Sequence, residues 1–308
     1  MILVSGEALV DLIPDAVKPG AYDAVLGGSP YNVAIGLARL GGPAAYVGRL
    51  SEDANGEALA EALVGNGVRL DFAARDPRPT PLAFVMRGTA ATGSRYSFYL
   101  DATAYDGAWP YPSPWPPRAK HLHVGSLTAL DPRHGARSLA AFKEALRNGA
   151  TTSFDPNVRP LVTPDRDAAR ALVEQELAQA TILKASEEDI EWLYPGRALD
   201  DVMTEWAKRG PRFVVVTLGG KGARARLGDI ALTVAPIKVQ VADTVGAGDS
   251  FMSALLSAMD RDGALGPSGG APDQALLAKW LAFAAKASAI TCTRKGSNPP
   301  TLAEVEAF

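Results

Sequence analysis

The stretch Asp243-Thr244-Val245-Gly246-Ala247-Gly248-Asp249-Ser250-Phe251 decides the reading of this chain. Residues 232–241 before it are rich in valine and isoleucine and read as a strand. Residues 250–259 after it carry apolar side chains at helical spacing. A glycine-rich turn therefore delivers the chain into a helix N-terminus. Gly246 and Gly248 lack a Cβ, so backbone N–H groups can converge on an anion, and the helix dipole adds positive potential there. Asp249 falls in or just before the first turn. A carboxylate beside a bound phosphate is repelled unless it has chemistry to perform. The fitting role is a general base that activates a hydroxyl for attack on a phosphoryl group held by the turn's amides. An isolated Gly-Ala-Gly-Asp would need no more than a tight turn with an acidic residue facing the dipole.

The totals narrow the classes. The 308 residues, 47% apolar, suffice for a large core without disulfides, and the single cysteine, Cys292, excludes an intrachain bridge or a Cys-based metal site. Net charge is −3 with no long basic run, which argues against a nucleic-acid or anionic-membrane binder. The N-terminus has no basic region followed by a long apolar stretch, and no run of 18 apolar residues occurs. The expectation is a cytoplasmic protein with no membrane partner.

All nine residues of the opening stretch match D-T-x-G-A-G-D-x-F, a signature of the ribokinase-like (PfkB-type) carbohydrate kinases, and the chain resembles that family over essentially its whole length. The resemblance implies that Asp249 is the catalytic base and that Gly246, Ala247 and Gly248 form an anion hole. A second signature, G-G-x-x-x-N-x-A, is matched by Gly27-Gly28-Ser29-Pro30-Tyr31-Asn32-Val33-Ala34. From local chemistry, Ser29 reads as an N-cap and Pro30 as the first helical residue. Asn32, a poor helix former in a first turn, is left without a structural reason. The resemblance implies that Gly27, Gly28 and Asn32 contact the sugar. Gly6-Glu7-Ala8-Leu9-Val10-Asp11 matches G-E-x-L-x-D, which makes Asp11 a further sugar ligand. Residues 2–6 read as a buried strand that 7–14 continue.

Two strand-like runs, 81–87 and 93–100, are joined by a glycine-bounded hairpin. Alternation places Tyr96, Phe98 and Leu100 on one face and Arg95, Ser97, Tyr99 and Asp101 on the other. Such strands form a β lid over the sugar in the family, with lids often pairing into homodimers. Arg95, Tyr99 and Asp101 are the substrate candidates. His121 and His123 alternate on a strand and read as structural, whereas His134 reads as a surface residue. Phe154-Asp155-Pro156-Asn157-Val158-Arg159 follows another strand and matches F-D-x-N-x-R of fructokinase-like members. By that resemblance Asn157 contacts substrate, while the guanidinium of Arg159 suits the transferring phosphoryl group or the substrate. Lys184-Ala185-Ser186-Glu187-Glu188-Asp189 has the form Lys-x-Ser-x-x-acid. Lys184 is a nucleotide ligand in this reading. Ser186 and Asp189 stand either as a helix capping box or as indirect support for magnesium. Val216-Thr217-Leu218-Gly219-Gly220-Lys221-Gly222 is no Walker A loop, because glycine follows the lysine. It matches V-T-L-G-x-x-G, which implies that Thr217, Gly219 and Gly222 line the nucleotide.

The expected fold is α/β: a ribokinase-like doubly wound, mainly parallel sheet flanked by helices, in one domain (1–308) with lid segments near 11–26 and 82–106. The expected activity is ATP- and Mg²⁺-dependent transfer of the γ-phosphoryl group to a sugar hydroxyl, fructose first. Another ketose, 2-keto-3-deoxygluconate or a nucleoside are the alternative acceptors. A monovalent cation near Asp243 is an analogy only. A non-catalytic sugar-binding regulator on the same fold is the reading from a different class. A dinucleotide oxidoreductase is disfavoured, since no G-x-G-x-x-G follows the first strand.

Overall fold

The computed structural model describes residues 1–15, 17–86, 95–267 and 272–308. The chain opens with β1 (Ile2–Ser5), then β2 (Leu9–Pro14) and β3 (Tyr22–Gly27). It continues through α1 (Ser29–Arg39), β4 (Ala44–Ser51), α2 (Ala54–Gly65), β5 (Arg69–Asp76), β6 (Leu82–Met86) and β7 (Arg95–Tyr99). Then come β8 (His121–Gly125), α3 (Ser126–Leu130), α4 (Pro132–Arg147), β9 (Thr151–Asp155), α5 (Arg166–Leu177), β10 (Ile182–Ser186) and α6 (Glu187–Leu193). The last elements are α7 (Leu199–Arg209), β11 (Phe213–Thr217), β12 (Ala223–Leu227), β13 (Ile230–Val234), α8 (Ala247–Arg261), α9 (Gln274–Cys292) and α10 (Leu302–Ala307).

Nine strands form one sheet in the order β13-β12-β11-β10-β9-β8-β1-β4-β5. Its pairs are parallel from β5 to β11, and β12 and β13 add an antiparallel edge. Alternation along the parallel strands supplies both faces. Ile2, Val4, Tyr46 and Val215 look toward α1, α8 and α9, while Leu3, Leu122, Phe154, Leu183 and Val214 look toward the α4–α7 side. All of them are essentially buried. Each large aliphatic side chain so placed contributes about 1.5–3 kcal/mol of transfer free energy. Because the strands run in parallel, β1, β8, β9, β10 and β11 end on one edge, at Ser5, Gly125, Asp155, Ser186 and Thr217. That edge is where ligands bind in open α/β sheets.

A second sheet of four strands, ordered β3-β2-β6-β7, stands apart from the first as a lid. Strand β1 does not run on through residues 7–14 as the sequence suggested. The chain turns at Gly6 (φ 151°), leaves the large sheet and enters the lid at Leu9. The expected strand at 232–241 also ends early, at Val234. Pro236 follows closely, and its missing N–H cannot extend a ladder. Residues 235–246 therefore cross as irregular chain before the signature turn. The expected hairpin turn at 88–93 lies outside the described residues. Among the described helices, α9 alone has the length and apolarity to span a bilayer. It packs along α8 with Leu277, Trp280, Leu281 and Ala284 buried.

Candidate active site

The signature turn leads into α8 through Gly246, which holds the left-handed conformation (φ 76°, ψ 0°). A Cβ there would also come within 2.1 Å of Ser297 Oγ, so only glycine fits both the backbone and the neighbour. The helix begins at Ala247, earlier than the apolar spacing implied, and Asp249 is its third residue. Ala247 N–H donates to Thr244 O at 3.2 Å and closes the turn. It is thus not an open anion-hole donor, contrary to the sequence reading. Gly248 and Asp249 N–H have no acceptor among the described residues and remain the unsatisfied donors of the helix end.

Asp249 is buried, and both its oxygens accept hydrogen bonds. Ser29 Oγ donates to Oδ1 at 2.7 Å and Asn32 Nδ2 donates to Oδ2 at 2.8 Å. Burial pushes the carboxyl above its ordinary value, and Ser29, Asn32, Lys184 and Arg159 oppose that rise. Ser29 is accordingly not an N-cap: Gly28 takes that position with φ 110° and no side-chain cap. A Cβ on Gly28 would meet Glu7 O at 2.4 Å, so the turn brings the start of α1 against the strand crossover.

Three carboxylates share this end of the sheet. Asp11 projects from the inner face of the lid, and burial pushes it up to about 6, with Arg159 opposing and Asp249 and Glu7 adding to the rise. Gly27, paired with Leu9 across the ladder, leaves the room it needs: a Cβ there would lie 2.5 Å from Asp11 Oδ2. Glu7 is buried and accepts from Thr128 N–H and Oγ1–H at 3.4 and 3.3 Å. Arg159 supplies the balancing charge and stacks its guanidinium 5.7 Å from the Tyr96 ring centroid. Asn157 (φ 40°) and Ser126 (φ 61°) hold left-handed backbone and are joined by a 3.3 Å bond from Asn157 Nδ2 to Ser126 Oγ. Non-glycine residues in that conformation carry strain that clusters at functional sites.

Lys184 is buried on β10, and its Nζ donates to Asp155 Oδ2 at 2.8 Å. A Cβ built on Gly248 would lie 2.9 Å from that Nζ, so the ammonium sits directly beside the open amides of α8. Burial pulls the Lys184 pKa down, but Asp155, with Asp189 and Asp249, more than offsets this and leaves it raised. At the end of the same strand, Ser186 and Asp189 form a true capping box. Asp189 Oδ2 accepts from Ser186 N–H and Oγ at 2.8 and 2.7 Å, and Oδ1 accepts from Val158 N–H at 2.7 Å. Both oxygens of Asp189 are thereby committed to the chain. Thr217 pairs in register with Ser186 and bonds Ala185 O at 3.3 Å. Gly219 and Gly222 shape the turn after it with positive φ. Asp243 clamps the signature loop, accepting from Val245 N–H at 3.1 Å and from Gly296 N–H at 2.9 Å.

The structure gathers Asp11, Gly27, Gly28, Asn32, Asn157, Arg159, Lys184, Gly246, Gly248 and Asp249 at one sheet edge, with Thr217, Gly219 and Gly222 at the adjoining strand end. It does not bring Tyr99 there. Tyr99 is 59% exposed on the outer face of the lid, stacked edge-on with Phe84, which in turn meets Tyr22. Asp101 is exposed as well and pairs with Arg133. Arg95 pairs with Met86 in the lid ladder, and its side chain lies outside the described residues. The inward position belongs to Tyr96, which feels the charges of Arg159, Asp11, Asp243 and Asp249. His134 is buried against Tyr105 and Trp109, not on the surface. Sequence reasoning passed over Ser29, Glu7, Asp155 and Tyr96. A buried carboxylate written into Gly6-Glu7-Ala8-Leu9 was the one available signal.

Comparison with known proteins shows the family. The profile of the pfkB family carbohydrate kinases matches residues 1–304. Fructokinase-1 of Oryza sativa subsp. japonica is 36% identical over 321 aligned residues, covering 99% of this chain and 96% of its own. The fructokinase of Xylella fastidiosa with bound ATP superposes with a TM-score of 0.86 at 26% identity, covering 99% of this chain and 97% of that one. The fructokinase of Vibrio cholerae O395 bound to fructose, ADP and calcium gives 0.85 at 28% identity, covering 100% and 98%.

Proposed function

The chain belongs to the pfkB family of carbohydrate kinases, and from that premise we propose that it transfers the γ-phosphoryl group of ATP to a hydroxyl of fructose, with Asp249 as general base. One observation carries the reading: a buried carboxylate in the first turn of α8 stands beside that helix's open amides and the Lys184 ammonium. A base raised by burial is better matched to a sugar hydroxyl than an ordinary aspartate. Ser29 and Asn32 hold Asp249 until the acceptor arrives. Asp11 and Asn32 bind and orient the acceptor's hydroxyls, with Gly27, Gly28 and Asn157 shaping its bed. The N–H groups of Gly248 and Asp249, with Lys184 and Arg159, stabilise the charge that develops on the transferring group.

The nucleotide extends from this point over Thr217, Gly219 and Gly222. Mg²⁺ suits the site only as a companion of the phosphates. Among the described residues no cluster of three His, Cys, Asp or Glu is placed to hold a metal, and Asp189 is already committed to Ser186 and Val158. When bound, the ion neutralises phosphate charge, as expected where magnesium keeps several waters. Ser186 and Asp189 then support it indirectly, by fixing the strand end. The similarity to fructokinases of Oryza sativa and Vibrio cholerae favours fructose over other ketoses, keto-sugar acids and nucleosides.

ADP release with Mg²⁺ and ATP, measured against fructose, tagatose, ribose, 2-keto-3-deoxygluconate and adenosine, tests the acceptor. Fructose should give the highest kcat/KM. A higher value for any other acceptor overturns the fructose assignment and keeps the kinase. Absence of turnover, with sugar binding intact by calorimetry, points to the regulator.

A further inference from the structure

Beneath α8 the face of the large sheet carries a polar file that the reaction above does not use. Thr151, Ser153 and Asp155 alternate along β9, and His121 and His123 do so along β8, paired with Thr151 and Ser153. All five are buried or nearly so, and both imidazoles lie at 0% exposure. Side-chain contacts link them into a ladder. His121 Nδ1 meets Thr151 Oγ1 at 2.8 Å, His121 Nε2 meets Ser153 Oγ at 2.8 Å, and His123 Nδ1 meets the same Ser153 Oγ at 2.9 Å. The ladder stops at His123 Nε2. That atom and Asp155 Oδ1 are both buried without a hydrogen-bonding partner among the described residues. They flank Gly125: a Cβ there would lie 3.6 Å from His123 Nε2 and 3.5 Å from Asp155 Cβ.

Each hydroxyl in the ladder has one proton, so the ladder has only two self-consistent directions. In one, Thr151 donates to Lys120 O at 3.3 Å, and His123 ends with a bare Nε2 facing a carboxylate. Nε2 and Asp155 Oδ1 are then both acceptors, and the ladder supplies a proton to neither. In the other, Thr151 donates to His121 Nδ1, His121 Nε2–H to Ser153, and Ser153 to His123 Nδ1, which leaves His123 Nε2–H facing Asp155. The second fits the distances better, because the Thr151–His121 contact is the shorter and Lys120 O already accepts from Thr151 N–H at 3.1 Å. Burial, with Lys184 nearby, pushes His123 down to about 3, so the neutral ring persists throughout the working pH range.

We propose that His123 is a positioning residue for phosphoryl transfer: its Nε2–H, oriented by the Thr151–His121–Ser153 ladder, is directed toward Asp155 Oδ1 across one water. Asp155 is thereby fixed on Lys184, and Lys184 on the open amides of α8. This rests on the kinase reading, and it adds a residue that touches neither sugar nor nucleotide. Its effect falls on the charge that stabilises the transferring group, and sugar recognition by Asp11 and Asn32 is untouched.

The test compares three variants by steady-state kinetics and thermal melting. His123→Gln keeps an amide N–H at the Nε2 position. His123→Asn reaches Ser153 but not Asp155, and His123→Leu reaches neither. Displacing a catalytic group by about 1 Å can lower turnover by about 100-fold. H123N and H123L should therefore lose about 10-fold or more in kcat with the sugar KM unchanged, and H123Q should recover most of that loss. Wild-type kcat in a folded H123N or H123L overturns the proposal, as does a loss in H123Q equal to that in H123L. Nitrogen-15 correlation spectra of the wild-type protein, which has three histidines, provide a readout independent of activity. The proposal requires the Nε2–H tautomer at His123, and an Nδ1–H tautomer contradicts it. If wild-type protein turns over no acceptor, the kinase reading fails and the tautomer alone decides the ladder.

Discussion

A carboxylate accepts hydrogen bonds from sugar hydroxyls fully only while ionised, and Asp11 is raised by burial to about 6. Protonation below that value removes acceptor capacity, so the sugar KM should rise as pH falls through about 6 and level off above it. Asp11→Asn should raise KM at neutral pH and flatten this profile. An unchanged pH dependence of KM in D11N would remove Asp11 from sugar binding. Asn32 stood out in sequence as a poor helix former without a local reason, while Asp11 and Asp249 stood out through the motifs that contain them. Ser29 and Asp155 were not, because a plausible local explanation covered each. Ser29 precedes a helical Pro and resembles a cap, yet its hydroxyl serves Asp249. Asp155 begins an Asp-Pro-Asn turn, yet its carboxylate pairs with Lys184. A short-range motif hides a long-range partner 29 residues away.

At the level of elements, α4 and α5 meet over a buried acid. Ser138 Oγ donates to Gly135 O at 2.8 Å and also touches Glu176 Oε1. Burial pushes the Glu176 carboxyl up to about 8, although the hydroxyl of Ser138, which can donate to it, opposes that rise. The folded state then binds a proton that the unfolded chain releases near its ordinary carboxylate value. Linkage makes stability fall as pH rises from that value to about 8, and stay level beyond. Glu176→Gln should abolish that slope and raise Tm at pH 8 by about 2 °C or more. An unaltered Tm–pH curve in E176Q would show that Glu176 ionises freely in the fold. The elements themselves were mostly visible in periodicity and capping. The two misread strands share a cause: continuous apolar runs report burial, not which sheet buries them. Gly6 and Pro236 are where the path departs from that run.

For the whole molecule, alternation correctly grouped the residues of β7 but could not say which face looks inward. The answer depends on how the lid stands against the large sheet. Its inner face presents Asp11, Tyr96 and Phe98. Its outer face presents Tyr22, Phe84, Met86 and Tyr99, with Tyr22, Met86 and Tyr99 exposed. An exposed aromatic cluster on a sheet is a candidate interface, and a second copy of this lid presents the same cluster in return. Tyr99→Glu should shift a dimer toward monomer in sedimentation velocity, and a sedimentation coefficient unaltered by Y99E would place any dimer contact elsewhere. Under the other face of the lid lies Asp249, the proposed base. Asp249→Asn keeps the shape and the bonding partners but removes the base. With fructose, Mg²⁺ and ATP, D249N should lose about 100- to 10,000-fold in kcat, the range general-base catalysis supplies. Fructose binding by calorimetry should stay close to wild type. Turnover by D249N within a few-fold of wild type would contradict the account at its centre.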